Sequence, residues 1–418
     1  MTTTGDNPLS ADPIHDRLLM GSPLRRPVAC ARFCAGLLAL LFFAFLAHLG
    51  TIASMRPEAT PVFLRALFLS TLLSIPAFLL LWFLDRRERE KRFLLVAAFL
   101  WGGLIATAIS VPFNTAYLML VDNWVMQRPV ISEILGPDAA LMLAAPVSAP
   151  LIEEIAKALG VLAMFWLLRA EFDNMRDGIV YGALVGLGFN WYEAALYVVQ
   201  TYAEHGRAAF GLQLGARYGL FGLGGHALYT AIFGAFLGFV MQTKYTLLRI
   251  AAPLLGLVLA ILAHMVHNTL PLMATLARVS AGEPLAEGSE GPAGMGFFAA
   301  FAEATWLDLV VYWPLILLMA LAVWRSGAWE RRVIREQLAD EVGRAITAEE
   351  YEDVLRDGMF QTRRISSNRP QISAALVEAQ HELAFRKWRV GSEGKDPAAD
   401  PLVAGWRADI ARLRAALR

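Results

Sequence analysis

Polar and ionisable residues lie inside several long apolar segments of the chain, and their types suit one kind of chemistry. They are carboxylates, imidazoles, an ammonium group and an amide: Glu153, Glu154, Lys157, Glu193, His226, His264 and Asn268. Neutral imidazole nitrogen and carboxylate oxygen are suitable ligands for a zinc-like ion, which makes water more acidic. A further carboxylate can accept the proton of that water. The residue types therefore indicate metal-assisted hydrolysis.

Four of these residues are predicted at one depth in the membrane. Counted from the cytoplasmic ends of their predicted helices, they lie about 14–16 residues in, or roughly 21–24 Å at 1.5 Å per residue. These four are Glu153, Glu193, His226 and His264. A charged side chain near the centre of a spanning helix costs at least about 2.5–3.5 kcal/mol, so such residues usually serve a function. The common depth predicts one shared site.

The neighbouring residues suggest how this site is supported. Glu153 and Glu154 are about 100° apart around a helix, so we expect one to face the site and the other to contact Lys157. Asn268 follows His264 by one helical turn. Its amide could orient a substrate carbonyl or stabilise an oxyanion.

Other polar residues in the apolar segments have simpler interpretations. His267 points about 60° away from the face of His264, which favours a supporting or packing role. His48 and Asp308 lie near predicted outer helix ends. That position is typical of residues at the membrane interface.

Composition places the chain among membrane proteins. The 418 residues are 57% hydrophobic and only 18% charged, against about 45–50% and about 25% in soluble domains. Each of eight windows is long enough to cross a bilayer: 28–52, 61–84, 93–121, 139–168, 178–203, 210–242, 250–277 and 297–324. Basic and acidic residues number 37 each, so no bulk charge indicates nucleic acid as a partner. We predict an all-α polytopic membrane bundle of about eight helices.

Basic residues in short loops predict the orientation of this bundle. Arginine and lysine cluster in the N-terminal tail (residues 1–27), in the loop DRREREKR and in every second loop thereafter. Since such clusters mark the cytoplasmic side, both termini are predicted to be cytoplasmic. The tail lacks a signal-peptide core, so the first helix is predicted to remain as an anchor in the cell (inner) membrane.

Residues 325–418 have a different composition and predict a small cytoplasmic helical extension. Thr347 and Glu350 form a capping-box pattern, and Asp400 precedes Pro401 as a helix start. Possible apolar faces include Leu355, Leu376, Leu383, Trp388, Trp406 and Leu413. Packing on itself or the membrane surface is favoured over regulatory partner binding.

The motifs in residues 140–270 resemble the PrsW family of intramembrane metalloproteases, related to the CAAX prenyl-protease and bacteriocin-immunity superfamily. The similar motifs are Glu153-Glu154-Ile-Ala-Lys157, Phe189-Asn-Trp-Tyr-Glu193, His226 in GHALYT and His264-Met-Val-His-Asn268. Ala194 departs from the family pattern, which often has Asn after this glutamate. Residues 28–324 then form the protease-like domain.

The resemblance implies a membrane-embedded endopeptidase with a divalent metal, for which zinc is the expected ion. It implies the glutamate pair, Glu193 and the two histidines as active-site residues. From their chemistry we predict Glu193, His226 and His264 as ligands, and Glu153, Glu154 and Asn268 as catalytic residues, with Glu153 favoured as the base. Lys157, Phe189 and His267 are then supporting residues. The implied partners are the lipid bilayer and a membrane-protein or peptide substrate, such as a single-span regulatory protein.

Other functions fit the same polar residues. Carboxylates and histidines also form relays in proton- or cation-coupled transporters, although the chain shows no inverted repeat. A non-catalytic scaffold of the same fold is a third possibility. Within the protease hypothesis, a glutamate and histidines could activate water without metal, and either Glu153 or Glu154 could be the base. The oligomeric state is open.

Overall fold

The fold is known from a computed structural model that describes residues 24, 26–85, 92–167, 172–219, 221–282, 296–358, 365 and 367–417. Within these ranges the regular structure consists of 14 α-helices with short 3₁₀ and π segments, and contains no β-strand. The predicted all-α polytopic bundle is confirmed. Most of the N-terminal tail and of the basic loop DRREREKR falls outside the described residues, so the predicted orientation stays a prediction.

The helices follow one another closely along the chain. The first seven are α1 (Pro27–Ser54), α2 (Thr60–Leu84), α3 (Arg92–Leu100), α4 (Thr107–Met126), α5 (Pro129–Leu135), α6 (Ala139–Leu167) and α7 (Met175–His205). The other seven are α8 (Phe210–Tyr218), α9 (His226–Gln242), α10 (Thr246–Ser280), α11 (Phe297–Leu338), α12 (Ala348–Arg356), α13 (Pro370–Ser392) and α14 (Pro401–Leu417). A π-helical segment, Trp101–Ala106, joins α3 to α4 without a break.

Six helical segments of the described chain are long and apolar enough to cross a bilayer. They are α1, α2 with its preceding turn, the continuous α3–α4 segment, α6, α10 and the part of α11 from Asp308 onward. Helix α7 is long but more polar, and α9 is apolar but has only 17 residues. Each of the eight predicted windows overlaps at least one helix of the structure. The exact number of crossings stays a prediction.

The sixth predicted window is not one continuous helix, and this part of the prediction is wrong. Helix α8 ends at Tyr218, and α9 begins only at His226. The intervening sequence contains glycines, of which Gly222 and Gly225 have φ angles of 76° and 54°. Because glycine has no Cβ, it adopts this left-handed region readily. Apolar content alone could not distinguish this bend from a helix.

Helices α7 and α9 form the centre of the bundle, and their backbones approach each other closely. A Cβ added to Gly234 on α9 would lie 1.9 Å from the carbonyl oxygen of Gly178 on α7. One added to Gly186 on α7 would lie 2.1 Å from the carbonyl oxygen of His226. Small residues permit this type of contact between membrane helices. The contact brings the start of α9 beside the middle of α7.

The C-terminal extension, here the described residues from 339 to 417, is helical and has its own apolar core. Helix α11 continues through the predicted boundary at residue 325 as far as Leu338. The predicted capping box is present, since Glu350 N donates to Thr347 Oγ1 and Thr347 N to the Glu350 carboxylate. Asp400 accepts hydrogen bonds from the first N–H groups of α14.

The apolar side chains predicted for the extension mostly lie in this core. Buried members are Leu376, Leu383, Trp406 and Leu413, and Trp388 packs against them. Leu355 is different, because 43% of its surface is exposed. It lies near the end of the short helix α12, whose buried face is represented by Val354 instead.

Candidate active site

Helix α6 carries two glutamates and a lysine that are almost completely buried. The exposed fractions are 4% for Glu153, 1% for Glu154 and 0% for Lys157. The Lys157 Nζ atom lies 2.7 Å from Glu154 Oε1 and 3.6 Å from Glu153 Oε2. One glutamate, Glu154, thus makes the predicted close contact with the lysine, and Glu153 also lies within ion-pair distance of it. Helical spacings of three and four residues bring both carboxylates to the same ammonium group.

The two carboxylates differ in their remaining contacts. Both Glu154 oxygens are bonded: Oε1 also lies 3.0 Å from His264 Nδ1, and Oε2 accepts a 3.2 Å hydrogen bond from Thr230. Glu153 Oε1 accepts a 2.9 Å bond from Asn114. Glu153 Oε2 is buried and has no hydrogen-bond partner among the described residues. Glu153 therefore has the oxygen that is available to another group.

The two imidazoles connect α6 to α7 and α10. His226 is the first residue of α9, and its Nε2 lies 2.9 Å from Glu193 Oε2. Its other ring nitrogen, Nδ1, is 2.7 Å from Lys157 Nζ. The ring centroids of His226 and His264 are 4.8 Å apart. The four residues predicted at a common depth thus meet in one network.

Glu193 has an ionic partner that the sequence interpretation missed. Arg217, near the end of α8, donates from Nε to Glu193 Oε2 at 3.1 Å. The guanidinium also bonds Gln213 one turn earlier. Arg217 was visible in the sequence as a charge inside an apolar window, so the criterion that identified the glutamates would have identified it as well.

The supporting residues surround the histidines. Asn268 Nδ2 donates to the carbonyl oxygen of Ala145 at 3.1 Å and lies 3.3 Å from His264 Nε2. His267 stacks on Tyr312, with ring centroids 5.5 Å apart. The Phe189 ring lies 4.1 Å from Lys157 Nζ, a cation–π distance.

Asp308 and His48, which were predicted to lie at the membrane interface, differ in how deeply they are buried. Asp308 is only 6% exposed and therefore lies inside the bundle, while its depth in the membrane stays a prediction. It lies one turn before Tyr312, whose hydroxyl bonds that of Tyr229. His48 is half-buried, and its Nε2 lies 2.8 Å from the carbonyl oxygen of Leu104.

A small polar cavity of about 70 Å³ adjoins the network. Its walls come from six helices and the bend before α9, and the residues important here are Asn190, Glu193, Arg217, His226, His264 and Asn268. A water molecule needs roughly 10–15 Å³ of such space. The cavity is therefore large enough for a few water molecules or a small part of a substrate.

The donor groups present fit a divalent cation. Glu153, His226 and His264 each offer one ligand atom, and these three atoms lie within 4.8 Å of one another. Two nitrogens and a carboxylate oxygen form a donor set of the kind that zinc uses in catalytic sites. The predicted set has Glu193 in place of Glu153, so both sets share the two imidazoles and differ in the carboxylate.

Comparison with known protein families identifies the central part of the chain. Residues 90–287 match the model of the PrsW family intramembrane metalloprotease. Over this segment, slightly less than half of the chain, the protein is similar to the PrsW family. The PrsW segment includes all four helices that carry the glutamates and histidines, from α6 to α10, while α11 with Tyr312 lies beyond it.

The family assignment confirms the resemblance found in the motifs. It supports intramembrane protease function in general terms, and the family description implies a divalent metal. No curated protein and no solved structure among those compared matches the chain. The roles of individual residues consequently stay predictions that depend on the geometry described above.

Proposed function

We propose that this protein is an intramembrane endopeptidase that hydrolyses a peptide bond in a membrane-protein substrate by means of a glutamate-activated water. The observation that carries the proposal is the buried network of carboxylates and imidazoles beside a polar cavity, contributed by α6, α7, α9 and α10. Purely structural ion pairs would need no cavity. Glu153 Oε2 accepts no hydrogen bond from the described residues, and this supports a chemical role for Glu153.

Glu153 is proposed as the residue that accepts the proton from water. Its Oε1 is held by Asn114, while Oε2 has no protein hydrogen bond among the described residues. Glu154 is less suitable, because Lys157, His264 and Thr230 occupy its oxygens. In hydrolysis, the water oxygen bonds to the carbonyl carbon, and the carbon–nitrogen bond breaks. Glu153 then returns the proton to the departing amine.

His226, His264 and Glu193 are proposed to hold a divalent cation, with zinc as the expected ion. When bound, this cation supplies Lewis acidity, which polarises a carbonyl group and makes water more acidic. Glu154 orients His264 through Nδ1, in the manner of carboxylates that support histidine ligands. Arg217 fixes Glu193. Nε2 is the His264 nitrogen left for the cation, so its contact with Asn268 Nδ2 would be given up when the cation binds.

The proposed substrate is a single-span membrane protein, since the cavity lies among membrane helices. We also propose that the protein resides in the cell membrane with both termini in the cytoplasm, as the basic loops predict. Fusion of reporter domains to each terminus tests this orientation.

The function is tested by cleavage and metal content measured on the same purified samples. A membrane-peptide substrate is incubated with the wild type, Glu153→Gln, Glu193→Gln and His264→Ala, with and without a chelator. We expect cleavage only by the metal-loaded wild type. Glu153→Gln should keep the metal, whereas Glu193→Gln and His264→Ala should lose it.

The opposite results distinguish the alternatives. Equal cleavage by all variants would show that the proposed site is wrong. Ion flux in vesicles without cleavage would favour a transporter. If Glu153→Gln lost the metal and Glu193→Gln retained it, Glu153 would be the metal ligand in place of Glu193.

A further inference from the structure

Asn190 is a buried polar residue that the proposed reaction does not use. It lies on α7 three residues before Glu193, has an exposed fraction of 0% and lines the polar cavity. Its Nδ2 donates to the carbonyl oxygen of Gly224 at 3.4 Å. Its Oδ1 has no hydrogen-bond partner among the described residues.

The orientation of the Asn190 amide follows from this contact. If the amide were turned over, Oδ1 would face the Gly224 carbonyl, and two acceptors would be opposed. The observed orientation is therefore the favourable one, and it leaves a hydrogen-bond acceptor at the cavity. Buried acceptors are rarely left without a donor, so a group that enters the cavity is expected to supply one.

The adjoining bend forms part of the cavity wall with non-helical backbone. Residues 221–225 are non-helical and lie between α8 and α9. Gly225 also lines the cavity, and a Cβ placed there would lie 3.7 Å from Asn190 Oδ1. Because Asn190 Oδ1 is buried, a substrate group in the cavity reaches it when the bend or the side chain moves. Phe221, at the start of the bend, is 68% exposed.

A substrate of the proposed reaction would bring the matching donor. The N–H groups of a membrane helix are bonded within the helix, and cleavage requires the segment around the scissile bond to unwind. Each N–H released in this way needs an acceptor at membrane depth. Glu193 Oε2 already accepts from Arg217. Among the described residues that line the cavity, Asn190 Oδ1 and His267 Nδ1 are buried without a hydrogen-bond partner, and the amide oxygen is an acceptor in every protonation state.

We infer that Asn190 binds the main chain of an unwound substrate segment, accepting one backbone N–H beside the scissile bond. This inference rests on the proposed peptidase function and adds a substrate-binding residue to it. Asn190 therefore favours substrates that adopt an extended conformation in the bend next to His226.

The experiment compares amide and ester bonds in the substrate. In a series of membrane peptides, one backbone amide at a time is replaced by an ester near the scissile bond, which itself stays an amide. We expect one position at which the ester lowers kcat/KM of the wild type by about tenfold. Asn190→Ala should lower kcat/KM for the all-amide peptide by a similar factor and should be insensitive to the ester at that position.

Controls separate binding from loss of structure. Asn190→Ser retains a shorter acceptor, so it should recover part of the activity and part of the ester sensitivity. Ser110→Ala removes a different buried polar group, a hydroxyl that donates to the carbonyl oxygen of Ala106 one turn earlier. This variant should behave as wild type. Thermal midpoints in detergent identify variants that do not fold.

Each remaining outcome is decisive. If the decreases in kcat/KM caused by Asn190→Ala and by each ester were additive, Asn190 would not contact any of these backbone groups. Its side chain would then bind only water or other protein groups, and the inference would be overturned. Unchanged kcat/KM in Asn190→Ala would do the same while leaving the peptidase function intact. Absence of cleavage by the wild type would overturn the proposed function and this inference together.

Discussion

Glu153 and Glu154 show how two adjacent, identical side chains acquire different properties from their neighbours. Glu154 is bonded at both oxygens by residues from α6, α9 and α10. Glu153 keeps one buried oxygen without a hydrogen bond from the described chain. Glu154 therefore mainly stabilises the packing of these three helices, whereas Glu153 has an oxygen that can take part in the reaction.

Substitution of each glutamate by glutamine should therefore have different consequences. Glu153→Gln is expected to fold normally and to lose about 10²–10⁴-fold in kcat, the usual contribution of a general base. Glu154→Gln should lower the thermal midpoint, because Lys157 then loses its closest carboxylate inside the bundle. Cleavage rates and melting curves in detergent measure both effects. A destabilised Glu153→Gln with an intact Glu154→Gln would reverse the assignment.

The sequence allowed only part of this site to be predicted at the level of residues. Charged groups and histidines in apolar helices are conspicuous, because their insertion is costly. Asn114, Asn190 and Thr230 were not singled out, since neutral polar residues are tolerated in such helices for many reasons. Their roles depend on which side chains face them across the bundle, and that information is absent from any single helix.

The contact between α7 and α9 determines where His226 lies relative to Glu193. It depends on glycines whose positions leave no space for a side chain. The small-residue pattern can be seen in the sequence, but the pairing of Gly178 with Gly234 cannot, because it joins distant segments. The bend before α9 was also missed, since its glycines lie in an otherwise apolar stretch.

Gly234→Ala should separate these two helices. The new Cβ would be placed 1.9 Å from a backbone oxygen, so α9 must move. We expect a destabilisation of about 1–3 kcal/mol, typical of overpacking, together with weaker cleavage. Gly36→Ala on α1 is the matched control, because nothing lies within 4 Å of its added Cβ. Equal thermal midpoints for the two variants would contradict the close packing.

The start of α14 should respond to acid. Hydrogen bonds from Arg386 hold the pKa of Asp400 below its ordinary value. Since the folded pKa is lowered, this carboxylate stabilises the fold at pH above about 4, its ordinary unfolded pKa. The contribution is lost as the pH falls through the lower, folded pKa.

Hydrogen exchange of α13 and α14 in the full chain, between pH 3 and 6, measures this loss. The wild type should lose protection toward the acid end of the range. Asp400→Asn should start from lower protection and change less with pH. If Asp400→Asn lost protection with falling pH to the same extent as the wild type, a group other than Asp400 would cause the acid response.

At the scale of the whole molecule, the C-terminal extension is joined to the membrane bundle near the beginning of α7. Arg176, at the start of α7, forms a buried ion pair of 2.9 Å with Glu330 on α11, shortly before the extension begins. Arg389 on α13 bonds Asp173, just before α7, and burial raises the pKa of that aspartate. The helical character and two of the helix starts were predictable, but this docking was not, because long-range ion pairs follow no periodic pattern.

Glu330→Gln should loosen this junction. Glutamine removes the carboxylate that lies 2.9 Å from the buried Arg176 guanidinium, so the contact between α11 and the start of α7 should weaken. Hydrogen exchange at residues 172–177 should accelerate, while exchange in the middle of α7 should change less. Asp353→Asn, which removes an exposed pair with Arg356, provides the control and should have no effect. Unchanged exchange in Glu330→Gln would argue against tight docking.

Helix α11 gives this junction a mechanical consequence. Its 42 residues correspond to about 63 Å, roughly twice the thickness of the hydrocarbon layer. The helix acts as a lever, since no loop interrupts it between Tyr312 at the cavity and Leu338 beside the C-terminal extension. A tilt of about 10° would displace one end by roughly 10 Å relative to the other. A movement of the extension relative to the bundle would therefore reach the wall of the cavity through one helix, whose proline, Pro314, lies next to that wall.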